Sequence, residues 1–540
     1  MDEHPAMLKV IADREFALGI NRFTFHVDVH NPWIDRKPGM TLDGIGTFFQ
    51  RDQTWWKPGK AWVLYIQRCQ AMLQMGHPVT DVAVFTGEET PRRAILPDRL
   101  VNTLPGIFGE ERVRSEAIRL ANKGQPMRTI PDGVNSSANM AEPQQWINPM
   151  LGYAYDSFNL DALLRLATVR NGRIELPGGA SYGVLVIPGV RPMSPDSSLM
   201  SPQAIKKIQQ LVNDGATIIW DMHPTQAPGL SDDAVVKQIA GELLHASGTK
   251  GKVIIGPYTD ESFDKLGIAR DVIFTDSTGG HAENIAWNHR AGAGFDSYFI
   301  SNQNNQQRII TLSLRTSGKV PELFDPLIGE IKTAGNWKIV NGRTVLPIKL
   351  DASGSVFVVL RKVASITSTI KHHNWPTIKP VQTLTGVWTV KFNRSFGGPE
   401  RPVIFNTLDD WSKSNNDSIK YYSGTASYSQ DFNWQGGKQA EDVWLDLGKV
   451  ANLADVYVNG IHCGTAWTYP YRVHIGQALK NGKNEIRIEV SNTWANRLIG
   501  DHALPKDKQI TWTNAVYRLD GKPLLPAGLL GPVQLIKLNY

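Results

Sequence analysis

A multidomain chain, α/β in its first half and all-β in its second, is the fold class predicted by three observations. The chain has 540 residues, too many for one ordinary core and enough for three or four domains of about 150 residues. Short apolar runs alternate with helical patterns up to about Leu244, as expected of parallel strands covered on both faces. Beyond about Lys252 helical patterns become scarce, and strand-like runs separated by turn signals take over.

The elements follow in order. In Asn21–His30, Phe23, Phe25, Val27 and Val29 alternate with Thr24, His26, Asp28 and His30, which predicts a strand with one apolar and one polar face. Asn31-Pro32 ends it, and a loop leads to Trp55-Trp56. From about Gly59 to Gly76, Trp62, Ile66, Cys69 and Leu73 recur at helical spacing, with Gly76 as the C-cap. A strand followed by a covering helix is what a late unit of a (β/α)₈ barrel shows, and equally any other α/β layer; it is the family resemblance given below that makes residues 1–77 an incomplete barrel remnant. Residues 78–251 read as a doubly wound, flavodoxin-like unit. Its apolar runs are Val79–Phe85, Tyr182–Ile187 and Thr217–Trp220, and a helix over Ser201–Asp214 has Ser201 as N-cap and Gly215 as its end. Pro91–Pro149 is an irregular excursion. Residues 252–371, with runs at Ser297–Ser301, Arg308–Leu314 and Ser355–Leu360, predict a small β-sandwich. His372–Pro380 reads as a linker, and residues 372–540 as a second sandwich, with hairpin marks at Asn459-Gly460, Asn481-Gly482 and Asp520-Gly521.

Composition excludes several function classes. Net charge is +6, from 57 basic and 51 acidic residues, and these are dispersed rather than clustered as a nucleic-acid surface requires. No run approaches the length of about 20 apolar residues that spans a bilayer. The first residues show neither the basic nor the apolar region of a secretory signal. The two cysteines, Cys69 and Cys463, cannot form a CxxC pair or a multi-cysteine zinc site. Gly178-Gly179-Ala180-Ser181-Tyr182-Gly183 misses the dinucleotide-binding spacing and precedes a strand rather than a helix.

Several strings resemble glycoside hydrolase family 106, a family of α-L-rhamnosidases. They are Gly19-Ile20-Asn21-Arg22-Phe23 with His26; His30-Asn31-Pro32-Trp33; Pro38-Gly39-Met40-Thr41-Leu42, leading to Arg51 and Trp55-Trp56; and Tyr155-Asp156 with Asn159. The last part resembles the galactose-binding-like, jelly-roll sandwich of family 2 glycosidases. It carries Asp446-Leu447-Gly448, Val458-Asn459-Gly460, Gly482-Lys483-Asn484, Asn492 through Asp501, and Gly528 through Val533. The resemblance implies a hydrolase acting on rhamnose-containing oligosaccharides or polysaccharides of plants or bacteria, placed in the periplasm or secreted. It implies a flavodoxin-like domain of the amidotransferase type, a scaffold here because neither cysteine lies within it. Glycoside hydrolysis needs two carboxyl groups flanking the scissile bond. By resemblance these glutamates, and most of the barrel, precede Met1, so the chain is expected to be a C-terminal fragment whose partner is the missing N-terminal half. No catalytic residue is assigned.

His26, His30, Asn31, Trp55 and Trp56 are the candidate sugar contacts. The histidines share the polar face of the expected strand, and an aromatic ring can stack on the apolar face of a sugar. Of the adjacent tryptophans, one is expected to face substrate and one the core. Asp28 and Glu15 are the acids to consider if hydrolysis occurs within this chain. Asp446, Asn459 and Asp501 are candidate donors for calcium or a sugar hydroxyl, although turn chemistry and capping explain such residues in sandwich loops. No other metal or cofactor is expected. The alternative is a non-catalytic carbohydrate-binding or scaffold protein that keeps the accessory domains.

Overall fold

A computed structural model of the protein describes residues 2–42, 47–88, 151–188, 199–221, 223–229, 232–245, 250–256, 259–436, 442–515 and 521–540. The expected Pro91–Pro149 excursion, and Asp520 of the last hairpin mark, lie outside them.

Two helices, α1 (Pro5–Ala17) and α2 (Lys60–Leu73), come first. α2 is the expected helix, and it buries Trp62, Ile66, Cys69 and Leu73. α1 is not announced by apolar spacing, because its inward face carries Lys9, Asp13 and Arg14, all buried. Lys9 pairs with Asp13 at 2.7 Å and donates to the Ser353 carbonyl at 2.7 Å and the Ser355 hydroxyl at 3.1 Å. Asp13 also accepts from Tyr65 and, at 3.2 Å, from Ser301. Such charges are tolerated inside a protein only when paired in this way.

The expected strand Asn21–His30 is corrected: among the described residues it joins no sheet. Burial does alternate, with Phe23, Val27 and Val29 half-buried between exposed Thr24, His26, Asp28 and His30. A ladder, however, needs a neighbour along its length. Here residues 47–49 meet only the middle, through Val27 N–H to Thr47 O (2.9 Å), Thr47 N–H to His26 O (2.9 Å) and Phe49 N–H to Val27 O (3.2 Å). Ring contacts anchor the rest, Phe23 on Phe16 at 4.7 Å and Phe25 on Phe49 at 4.8 Å.

Five strands, Val82–Phe85, Tyr155–Phe158, Val184–Ile187, Thr217–Trp220 and Lys252–Ile255, form one parallel sheet. Numbered along the chain, their spatial order is 2-1-3-4-5. Both faces of the central strands are buried. Phe85, Leu185, Ile187 and Ile218 belong to one core, and Val82, Val84, Val186 and Ile219 to another, which is why these runs are continuous rather than alternating. Helices α3 (Pro202–Asp214) and α4 (Asp233–Leu244) cover the first face. The Ser201 hydroxyl caps α3 by accepting from Ala204 N–H at 3.2 Å, and Gly215, at φ 120°, ends it.

The remaining architecture is antiparallel. A six-stranded and a five-stranded sheet share one core through residues such as Tyr298, Ile300, Val358, Leu312 and Leu346. The opposite face of the six-stranded sheet is also covered: Phe299, Phe357 and Val359 pack with Phe16, Trp62 and Tyr65 of α1 and α2. Another six-stranded and a four-stranded sheet enclose the last core, around Trp388, Tyr428, Leu445, Ile488 and Leu535. Asn459-Gly460 turns the hairpin between Leu453–Val458 and Ile461–Ala466, with φ 52° and 80°. The linker reading of His372–Pro380 is corrected at its end, where Thr377–Thr383 pairs with Gln534–Asn539. Proline is accommodated because this strand lies at the sheet edge and its register shifts between Pro380 and Gln382.

Candidate functional site

Motifs far apart in sequence meet in one seam. Residues 30–42 and 47–56 lie against Asn492–Ala515 of the last domain. Pro38-Gly39 pairs in parallel with Trp512-Thr513, and Trp512 N–H donates to Lys37 O at 2.7 Å. Thr41 N–H donates to Asn514 Oδ1 at 2.7 Å, and Asn514 Nδ2 returns a bond to Thr41 O at 2.9 Å. Trp33 meets Trp512 edge-on at 5.1 Å, and the Arg36 guanidinium sits 4.9 Å from the first ring and 5.6 Å from the second.

Asp52 ties these pieces together. Its carboxylate is buried, accepts from Asn31 Nδ2 at 2.9 Å, and has Lys37 and Arg51 each at 3.6 Å. Its carbonyl accepts from Trp494 Nε1 at 2.8 Å. Arg51 donates to the carbonyls of Asn31 and Trp33, both at 2.8 Å. Gly39, at φ +89°, allows the turn: a Cβ there would lie 2.4 Å from Asn31 Nδ2. Asn31 Oδ1 is buried and finds no donor among the described residues.

The sugar-contact candidates divide by exposure. His26 and His30 are exposed, and Trp56 keeps 40% of its surface. Trp55 is 1% exposed and donates to Glu3 O at 3.0 Å. It meets Trp62 edge-on at 6.3 Å, so its ring offers no free face to a sugar. Asn31 is buried and shapes the loop rather than lining an open surface. Sequence reasoning missed Asp52 and Asn514, because neither belongs to a motif. Their role comes from partners that folding brings near.

The calcium candidates are each held by their own surroundings. Asp446 accepts from Arg472 at 2.7 Å and Gly448 N–H at 2.9 Å. Asn459 donates to Ala478 O and Asn484 Oδ1, both at 2.8 Å. Asp501 accepts from Ile510 N–H at 3.0 Å, Thr511 N–H at 2.8 Å and the Thr511 hydroxyl at 2.6 Å, and it pairs with Arg497 at 2.8 Å. This donor set is that of turns and braces, not of a hard-cation cage. Among the described residues, no group of three or more His, Cys, Asp or Glu side chains converges to hold a metal. Burial, with Asp13 nearby, pushes the Cys69 thiol up and makes it a poor nucleophile.

The sequence model of the α-L-rhamnosidase family, glycoside hydrolase 106, matches residues 1–138 and 132–339. The glycosyl hydrolase 2 galactose-binding domain-like model matches residues 406–518. The solved structure of a rhamnosidase from Novosphingobium sp. PP1Y superposes with a TM-score of 0.79 at 34% sequence identity, covering 99% of this chain and 46% of that one. A putative beta-glucuronidase from Formosa agariphila is 25% identical over an alignment spanning 94% of this chain and 57% of its own length. The chain spans about half the length of these relatives.

Proposed function

Because this chain belongs to the α-L-rhamnosidase family of glycoside hydrolases, we propose that it forms the substrate-facing seam and scaffold of an enzyme that hydrolyses α-L-rhamnosyl linkages in plant or bacterial glycans. The observation that carries this reading is the convergence of the His30–Trp56 motifs with Asn492–Ala515 around Asp52. On this reading His26, His30 and Trp56 meet the sugar, while Asn31, Asp52 and Trp55 position the loop that carries them.

We place the acid and base in a catalytic barrel supplied by the remaining length of the family fold. On this reading residues 1–77 form its closing end, 78–251 a flavodoxin-like scaffold, and 252–371 and 372–540 two sandwiches. Supporting this is the share of its relatives' length, about half, that the chain spans. No described helix is long and apolar enough to cross a membrane. The proposed location is the periplasm or outside the cell.

The test has two readouts on the folded chain. Saturation-transfer NMR is expected to show binding of methyl α-L-rhamnoside, weakened about tenfold in Trp56→Ala. No 4-nitrophenol is expected from 4-nitrophenyl α-L-rhamnoside by the chain alone. Turnover instead places acid and base among these residues, with Asp28 and Glu15 the first to substitute. Absence of both binding and turnover removes the rhamnosidase reading. The second reading, a binding protein without catalysis, is favoured by the half-length match. It gains if binding persists but adding the rest of the barrel restores no turnover.

A further inference from the structure

Away from the seam, a cavity of about 590 Å³ lies where α2, the turn and strand of residues 327–332 and the last domain meet. Its floor is the outer face of the four-stranded sheet. In Val443–Asp446, Val443 and Leu445 point into the sandwich core, so strand alternation turns Trp444 and Asp446 the other way. Arg472–His474 pairs alongside, with His474 opposite Trp444 and Arg472 opposite Asp446. His474 meets the indole edge-on at 5.1 Å, which leaves Trp444 as a half-buried aromatic wall of the cavity.

Two of the three cations around this wall are held by carboxylates and the third by backbone carbonyls. Arg472 is bound by Asp446 at 2.7 Å and Lys332 by Glu330 at 3.2 Å. Arg68 donates to the carbonyls of Pro326 at 3.1 Å and Leu327 at 2.7 Å. An anionic ligand would have to compete with Asp446 for Arg472 and with Glu330 for Lys332. A neutral polyol would not, and the carboxylates of Glu330 and Asp442 line the cavity as acceptors for its hydroxyls. Ligand sites favour such junctions, where an apolar surface carries a few convergent polar groups.

We propose that this cavity is a second saccharide site, holding one neutral pyranose ring against Trp444. It is distinct from the seam, and it requires no turnover, so its test is independent of the hydrolytic reading.

The chain contains its own reporter. Cys463 lines the cavity and is partly exposed, whereas Cys69, the other cysteine, is fully buried. A maleimide should therefore label Cys463 selectively. Methyl α-L-rhamnopyranoside and methyl β-D-galactopyranoside serve as neutral probes, and methyl β-D-glucuronide as an anionic one. At least one neutral glycoside is expected to slow labelling about tenfold once it stands about ten times above its dissociation constant. Trp444→Ala is expected to weaken protection about tenfold, equivalent to about 1.4 kcal/mol, with Trp444→Phe intermediate. Leu64→Trp narrows the cavity from α2 without altering the sandwich, and it should abolish protection even if Trp444→Ala fails to fold. The proposal is overturned if no neutral glycoside protects Cys463, if the glucuronide protects better than both, or if protection is lost in Trp56→Ala but kept in Leu64→Trp.

Discussion

Gly39 shows how much of the seam depends on one residue. It combines a positive φ of +89° with a side chain, Asn31, already in the space a Cβ would need. Gly39→Ala is therefore expected to cost more than backbone strain alone, roughly 3 kcal/mol or above, read as a lower urea midpoint in the tryptophan-fluorescence transition. Gly179→Ala is the control: its φ is +90°, but a Cβ there meets nothing within 4 Å. It should lose only the backbone contribution, about 1–2 kcal/mol. If the two substitutions cost the same, crowding against Asn31 has no weight. The contrast within Trp55-Trp56 was legible as an expectation that neighbours point different ways. Which of them would be buried was not, because that depends on Glu3 and Trp62 closing over Trp55.

At the scale of elements, local signals were read well and remote compensation was not. The cap, the first-turn proline and the closing glycine of α3 lie within fifteen residues of one another, so sequence alone defined that helix. Ser201→Ala should destabilise it by about 1 kcal/mol and Ser201→Gly by only a few tenths, measured by amide hydrogen exchange along Ile205–Val212. Protection in both variants equal to that of the unsubstituted chain would show that the cap contributes nothing. α1 was missed because Lys9 and Asp13 are buried against Ser353 and Ser301, 344 and 288 residues away. No local periodicity reports such partners. For the same reason the alternation in Asn21–His30 was real but did not make a strand: alternation specifies faces, and only a neighbouring strand makes a sheet.

At the scale of the whole molecule, a charged junction joins the parallel sheet to the middle sandwich. Arg315 bonds Asp81 at 2.6 Å and lies 3.4 Å from Asp271. His289 bridges Asp271 at 2.7 Å and Asp296 at 3.2 Å, while Lys319 holds Asp296 at 2.8 Å. Burial works against protonating His289, but the two carboxylates outweigh it and hold its pKa above the ordinary histidine value. Burial likewise works against ionising Asp296, yet His289 and Lys319 bring it down to about 2. The stabilisation from His289 is thus complete below its unfolded value of about 6.5 and fades as pH rises through its folded one. That from Asp296 is present above about 3.9 and fades as pH falls towards about 2. Melting temperature should fall at both ends, and His289→Gln should flatten the alkaline side. An unchanged alkaline slope would mean that His289 is not protonated in the folded protein.

The pairing of Pro38-Gly39 with Trp512-Thr513 also sets an order of events during synthesis. The two partners are more than 470 residues apart, so the loop they close spans most of the chain. Closing it carries an entropic cost that only late, long-range contacts repay. During synthesis Trp33 is made long before its edge-on partner Trp512, and it must wait for that contact until the last domain has been made and folded. A chain cut before Thr511 would keep every residue of the His30–Trp56 motifs and still lack Trp512, Thr513 and Asn514, which hold residues 37–41 in place.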